Sequence, residues 1–378
     1  MTDITLQEKP MVKNNSKPAP PCPYKFEPGQ LLFYNNEIKQ DFEITDDVDK
    51  RNFYRQAANM HREVRQYART LIKPGVSLLQ VAVDVEAKIA QICGNSTQST
   101  CIVNKTSGSH PYYCGQAFPL GLSVNNCAAH YAPIPGDDQI LTQNDIVKVD
   151  FGIHCNGFLV DSAFSMHWNP ELDPIVKASQ EATDEAMKLA GPDVLISELG
   201  DKIDEVICSY EFNGQNLNPV RELAGHKVNR FRIHSGKSIP NKKGSKSKVR
   251  MKAGEVYACE TFASTGKGKI TEVQPTSHYM VSPEAIHVQP NDVRGTEKTK
   301  LLFETLKTNF HTLAWNPRWL PSFGFDQFKL QLDSLVQNGY VNDYPKLVEK
   351  KGCYVSQFEH TFMISDWGKE VFTRGEDY

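Results

Sequence analysis

The sequence predicts a mixed α/β (α+β) fold in which helices followed by a cluster of strands occur twice. Three observations point there. Apolar residues recur every three to four positions near 48–72, and helix signals return over 173–210. Short apolar runs bounded by turn residues fill 117–166 and 220–279. Helices precede strands in both stretches, so the order seen over 48–166 returns over 173–280.

The first helix carries Phe53, Ala57, Met60, Val64 and Tyr67 on one stripe, and "KPG" at 73–75 ends it. Ser77 is positioned to cap a second helix bearing Leu78, Val81, Val85 and Ile89. From Cys93 to Cys114 the chain is poor in apolar residues and rich in Ser, Thr, Asn and Gly, which predicts a long irregular loop. Asp173-Pro174 reads as a helix start with Asp as cap, running to "AGPD" at 190–193. Ser197 and Glu198 open the next helix, to about Tyr210. "NKKGSKSKVRMK" at 241–252 is a basic loop, read first as a solvated hairpin tip and second as a contact for ribosomal RNA. From Pro283 to Lys350 the chain turns helical and aromatic, with helices over "EKTKLLFETLKTNF" and "FDQFKLQLDSLVQNG". The stretch from Gly352 to Phe372 returns to strand, with a turn at "SDWG".

Composition narrows the class. The 378 residues are 39% hydrophobic and 23% charged with net charge -3, ordinary for a folded protein and without a global basic field for nucleic acid. No run of 18 apolar residues predicts a membrane helix. Residues 1–40 read as a polar, Pro-rich, largely disordered tail without a signal-peptide core. Nine scattered cysteines with no CxxC pair fit reduced thiols in the cytoplasm.

The chemistry concentrates around "IVKVDFGIHCNGFLVDSAF", Ile146 to Phe164. Asn156-Gly157 is a strong signal for a two-residue type I′ turn. With that loop Cys155 pairs with Phe158, so Asp161 faces Gly152 and Asp150 faces Ala163; a four-residue loop would instead set Asp150 directly opposite Asp161. Side chains alternate along a strand, so both aspartates share one face. Two close like charges need a shared proton or a cation, unless they stand solvated on an open face. An acid-protease pair predicts Asp-Thr/Ser-Gly signatures, and the sequence has none. A cation predicts further ligands in apolar strands. His226 and His234 in "GHKVNRFRIHSGK", Glu260 in "VYACETFAST" and Glu359 in "YVSQFEHTFMIS" are such candidates. Two Asp, two Glu and a His form a hard, oxygen-rich set suited to a pair of divalent ions.

These motifs, in this order with "AFPLGLSVNNCAAHYAPIPGD", "SHYM" and "RGEDY", resemble the type 2 methionine aminopeptidases of the pita-bread metallopeptidase superfamily over about residues 45–378. The resemblance implies a pseudo-two-fold pita-bread fold, with 41–282 and 351–378 as catalytic domain and 283–350 as the helical type 2 insertion. It implies two divalent ions (Co, Mn, Fe or Zn) on Asp150, Asp161, His226, Glu260 and Glu359, with Asp161 and Glu359 bridging. The implied reaction removes an initiator methionine before a small second residue, by attack of a metal-bridging water with Glu260 as proton shuttle. His130 and His234 are implied as catalytic and substrate-contacting residues. Phe118, Ile233, His278 and Tyr344 are implied for the methionine pocket. Nascent N-termini are the implied partners, with ribosome association open and a monomer expected. The alternative is an inactive pita-bread protein that binds RNA or a protein partner.

Three positions depart from the family pattern. The ligand motif here reads Ala224-Gly225-His226-Lys227-Val228-Asn229. Alternation would point Lys227 away from His226. Cys127 and Cys259 flank site residues and are expected to be inert.

Overall fold

The structure is a computed structural model that describes residues 47–93, 114–366 and 368–378. The tail at 1–40 and nearly all of the loop expected at 93–114 lie outside these residues. Two helices, α1 (Asp47–Leu71) and α2 (Leu78–Ile92), lead into β1 (Cys114–Val124), β2 (Cys127–Ala129), β3 (Ile146–Cys155) and β4 (Phe158–His167). Two more, α3 (Asp173–Leu189) and α4 (Ile196–Ser209), lead into the short β5 (Glu211–Phe212), β6 (Gln215–Asn216) and β7 (Asn218–Pro219). Then follow β8 (Ala224–Val228), β9 (Ser238–Pro240), β10 (Val256–Ser264) and β11 (Thr271–Val281). The rest comprises α5 (Glu297–Phe310), β12 (Ala314–Trp315), α6 (Lys329–Gln337), β13 (Val341–Val348), β14 (Val355–Ser365) and β15 (Gly368–Val371).

Helix signals in the sequence are used as expected. Phe53, Ala57, Met60 and Val64 are buried on α1. The Ser77 side chain accepts a hydrogen bond from the Gln80 amide, satisfying a free donor of the first turn of α2. At 173 the structure differs from the expectation. A 3₁₀ turn over Pro170–Leu172, capped by Asn169, comes first, and Asp173 lies inside the first turn of α3, paired with Lys177 at 3.0 Å.

The strands form three main sheets, ordered β1-β3-β4, β15-β14-β10-β8-β9 with β7 beside β10, and β12-β11-β13-β2. Strand β4 of the first sheet lies against β14 of the second. Hydroxyls stitch this seam instead of a backbone ladder. The Asp161 amide donates to Thr361 Oγ1 (2.8 Å), Ser162 Oγ donates to the Glu359 carbonyl (2.8 Å), and Ser165 Oγ donates to the Gln357 carbonyl (2.9 Å). Two acid-bearing strands, one from each sheet, are thereby held side by side.

The main apolar core lies between these sheets and α1–α4. A second core, built on Phe303, Leu306, Phe310, Trp315 and Trp319, fills the stretch around α5 and α6. The helical expectation for 283–350 holds for α5 and, in shortened form, for α6. It fails at 341–348, which is strand β13 paired with β11 and β2. A buried ion pair fixes the second core to the first helix layer. Glu86 of α2 accepts two 2.8 Å bonds from Arg318 and one of 3.0 Å from the Trp319 indole.

Candidate metal centre

The hairpin between β3 and β4 has the register that its turn dictates. Cys155 pairs with Phe158, Gly152 with Asp161 and Asp150 with Ala163. Asn156 and Gly157 both adopt positive φ, 54° and 82°, as a type I′ turn requires. Gly152, opposite Asp161, leaves room for Phe118 from β1, since a Cβ there would lie 2.4 Å from the Phe118 ring. The missing side chain lets an apolar ring reach the aspartate face.

The second sheet delivers the other acids. Glu260 on β10 and Glu359 on β14 are directly paired across the two strands, and His226 on β8 pairs with Ala258 two positions before Glu260. Lys227, the next residue on β8, points the other way and pairs with Glu255 at 3.0 Å, as alternation predicts.

All five candidate ligands line one cavity of about 740 Å³, mouth included, where the two sheets meet. Asp161, His226 and Glu359 are buried and have ligand atoms within 4.8 Å of one another. His226 Nε2 stands 3.5 Å from Asp161 Oδ2 and 3.9 Å from Glu260 Oε1. Asp150 and Glu260 open on the same space and are tied together by Gln357, whose Nε2 donates to Asp150 Oδ2 at 3.0 Å and Glu260 Oε2 at 3.4 Å. Sequence reading missed Gln357, because an uncharged amide in a strand carries no signal of its own.

Electrostatics show what this arrangement demands. Burial first, and neighbouring carboxylates second, hold Asp161, Glu260 and Glu359 well above the usual carboxylate range. Burial pushes Asp150 up to about 6. Burial, with His234 adding to it, holds His226 well below the usual imidazole range, so it presents a neutral nitrogen. Asp150 Oδ1, Asp161 Oδ1 and Glu359 Oε1 are buried without a hydrogen-bond partner. Buried oxygens normally find a donor, and four mutually repelling acids beside a neutral imidazole form a donor set that cations satisfy. The residues present therefore fit divalent metal.

The remaining predicted residues border the same cavity: His130, His234 and His278 with Phe118, Ile233 and Tyr344. His130 follows β2 with φ at 62° and contacts His278 and Tyr344, each at 5.9 Å between ring centres. Burial first and His234 second push it down to about 4. His234 packs edge-on against His226 at 4.4 Å. Gly121, Met280 and Ala314 also line the wall and escaped the sequence reading. Cys259 is buried and its thiol is pushed up to about 12 by burial and by Glu260, so it is inert as expected.

A model of metallopeptidase family M24 matches residues 52–289. The chain belongs to that family. Within M24 it is similar to methionine aminopeptidase 2-1 of Emericella nidulans, 41% identical over 93% of this chain and 78% of the relative. Methionine aminopeptidase 2 of Podospora anserina is 43% identical over 86% of this chain and 72% of that one. Among solved structures, a thermophilic Arx1 shares the fold at TM-score 0.72 and 14% identity, covering 88% of this chain and 92% of that one. Methionine aminopeptidase from Thermotoga maritima does so at TM-score 0.56 and 18% identity, over 88% and 99%. This M24 chain has the pita-bread fold, and its family and relatives make its activity that of a metal-dependent methionine aminopeptidase.

Proposed function

We propose that the cavity hydrolyses the peptide bond after an initiator methionine whose next residue is small, using two divalent ions. Asp150, Asp161, His226, Glu260 and Glu359 would hold them. The observation that carries this reading is a single cavity lined both by partnerless buried carboxylate oxygens and by the apolar Phe118, Ile233, Met280 and Tyr344. Such a wall suits a flexible thioether. When bound, the ions supply a water of lowered pKa and polarise the scissile carbonyl. An oxygen-rich donor set with one imidazole suits Mn, Co, Fe or Zn.

The chain's own groups then divide the work. Glu260, which opens on the same cavity as the other ligands, takes the proton of the attacking water and returns it to the leaving nitrogen. His130, kept neutral by burial, hydrogen-bonds the scissile amide, and His234 steadies the tetrahedral intermediate. Substrates would be nascent N-termini in the cytoplasm, met by a monomer. Lys242, Lys246 and Lys248, exposed on the loop at 241–252, would support contact with the ribosome. No helix among the described residues is long and apolar enough to cross a membrane. Residues 41–282 with 351–378 would form the catalytic domain and 283–350 an insertion, a division supported by the separate core around α5 and α6.

The test is methionine release from Met-Gly-Ser by purified protein with added Co²⁺, Mn²⁺, Fe²⁺ or Zn²⁺. No release with any of these ions would sink the reading.

A further inference from the structure

The space beside the metal cavity continues outward. A second chamber of about 520 Å³ shares Ile233, His234, Met280 and Tyr344 with the metal cavity. A third, of about 700 Å³, shares Phe231, Arg232, Pro283 and Thr312 with the second. The three make one groove running from the candidate metal ligands past the loop at 229–235 to the surface.

The outer end of this groove is basic. Arg230, Arg232, His287 and His311 line the third chamber, with no Asp or Glu among its described residues. Among the described residues Glu284, in the second chamber, is the one carboxylate lining either of the two. It bonds to Ser282 at 2.6 Å and also feels Arg232. Arg230 is held in place by 2.8 Å and 3.2 Å bonds to the Asn156 carbonyl and side chain. Burial first, then His287 and Arg230, disfavour the charged form of His311, so its ring adds no positive charge of its own. The bias extends along the sequence. Residues 227–252 contain ten Lys and Arg and no Asp or Glu, in a chain of net charge -3.

We propose that the groove receives the substrate residues beyond the second and that its basic outer chamber selects acidic side chains among them. This rests on the methionine aminopeptidase reading. An extended peptide advances about 3.3 Å per residue, so a chain anchored at its first residue can lay several side chains along the groove. Charge complementarity at a partly exposed rim acts on encounter and binding, and salt weakens it. The preference therefore sits in KM and falls as ionic strength rises.

The experiment compares kcat/KM for Met-Gly-Ser-Asp-Asp-Asp-amide and Met-Gly-Ser-Lys-Lys-Lys-amide with the metal-loaded protein, beside the Met-Gly-Ser tripeptide. The acidic peptide is expected to be favoured about fivefold, mostly through KM, with the ratio shrinking in 0.5 M salt. In Arg232→Gln/His287→Gln the ratio, in which any general loss cancels, is expected to fall toward one. Equal kcat/KM for the two peptides overturns the proposal, and so does a ratio untouched by the double variant. Inhibition of tripeptide cleavage by a 20-mer RNA without an acidic preference would assign the basic surface to nucleic acid and equally overturn it. No methionine from any of the three peptides would sink the parent reading instead.

Discussion

Glu260 and Glu359 stand directly opposite one another on adjacent antiparallel strands. Like charges so placed repel, and burial removes the water that would screen them. The fold places this repulsion in its centre, and a bound cation turns it into attraction. Chelation is therefore expected to lower stability by at least ~2.7 kcal/mol relative to protein with metal at a hundredfold above Kd. Glu359→Gln is expected to narrow that gap, and Asp161→Asn to lose bound metal and methionine release with its far-UV circular dichroism retained. Thermal melts with and without EDTA, alongside metal analysis, check all three. A wild-type melt indifferent to EDTA would count against the metal centre.

Gln357 touches both Asp150 and Glu260 and so fixes two carboxylates at once. Replacing it with Met keeps the volume and removes the donor. The expected result is a 10–100-fold loss in metal affinity or activity, the usual range for a group that orients ligands. Metal titration and steady-state kinetics on Met-Gly-Ser separate the two.

Glu86 binds Arg318 and the Trp319 indole in a site where the carboxylate is almost fully enclosed. Glu86→Ala leaves the part-buried Arg318 guanidinium with the Pro133 carbonyl alone in place of its carboxylate, so a cost of up to about 3 kcal/mol is expected. Urea denaturation measures the cost. Limited proteolysis should show faster cutting between α5 and α6.

Glu255 responds to acid. Partial burial opposes its ionisation, but hydrogen bonds from Lys237, Tyr257, Lys227 and the Lys252 amide overcome that and hold it at about 2, against an ordinary 4.5. Its folded pKa is depressed, so its stabilisation is complete above the unfolded value and is lost as pH falls. The advantage of wild type over Glu255→Gln should be constant above about pH 5.5 and shrink between about pH 4.5 and 2. Paired denaturation curves across that range test it. A constant difference would remove the carboxylate from the account.

Much of the site was legible because its geometry is local. Asn156-Gly157 sets the turn, the turn sets the register, and the register puts Asp150 and Asp161 on one face. His226, Glu260 and Glu359 declared themselves as polar residues in apolar strands. What stayed hidden depends on tertiary contact. Strand β13 contains Asn342, Asp343 and Pro345, poor strand formers, and exists because β11 and β2 pair with it. Tyr344 reaches the cavity only through that pairing. The seam of hydroxyls between β4 and β14 is also invisible in sequence, since Thr361 and Ser162 look like any other polar strand residues.

The turn at Gly157 is occupied from outside. Phe231, itself at φ 53°, lays its ring where a Cβ on Gly157 would come within 2.4 Å, and its amide donates to the Gly157 carbonyl at 2.8 Å. The aromatic ring works as a dowel between the aspartate hairpin and the loop that carries Ile233 and His234. For that loop to swing away from the groove, the dowel must leave its socket. Any motion that admits or releases a peptide on that side is thereby felt at the turn that spaces Asp150 from Asp161.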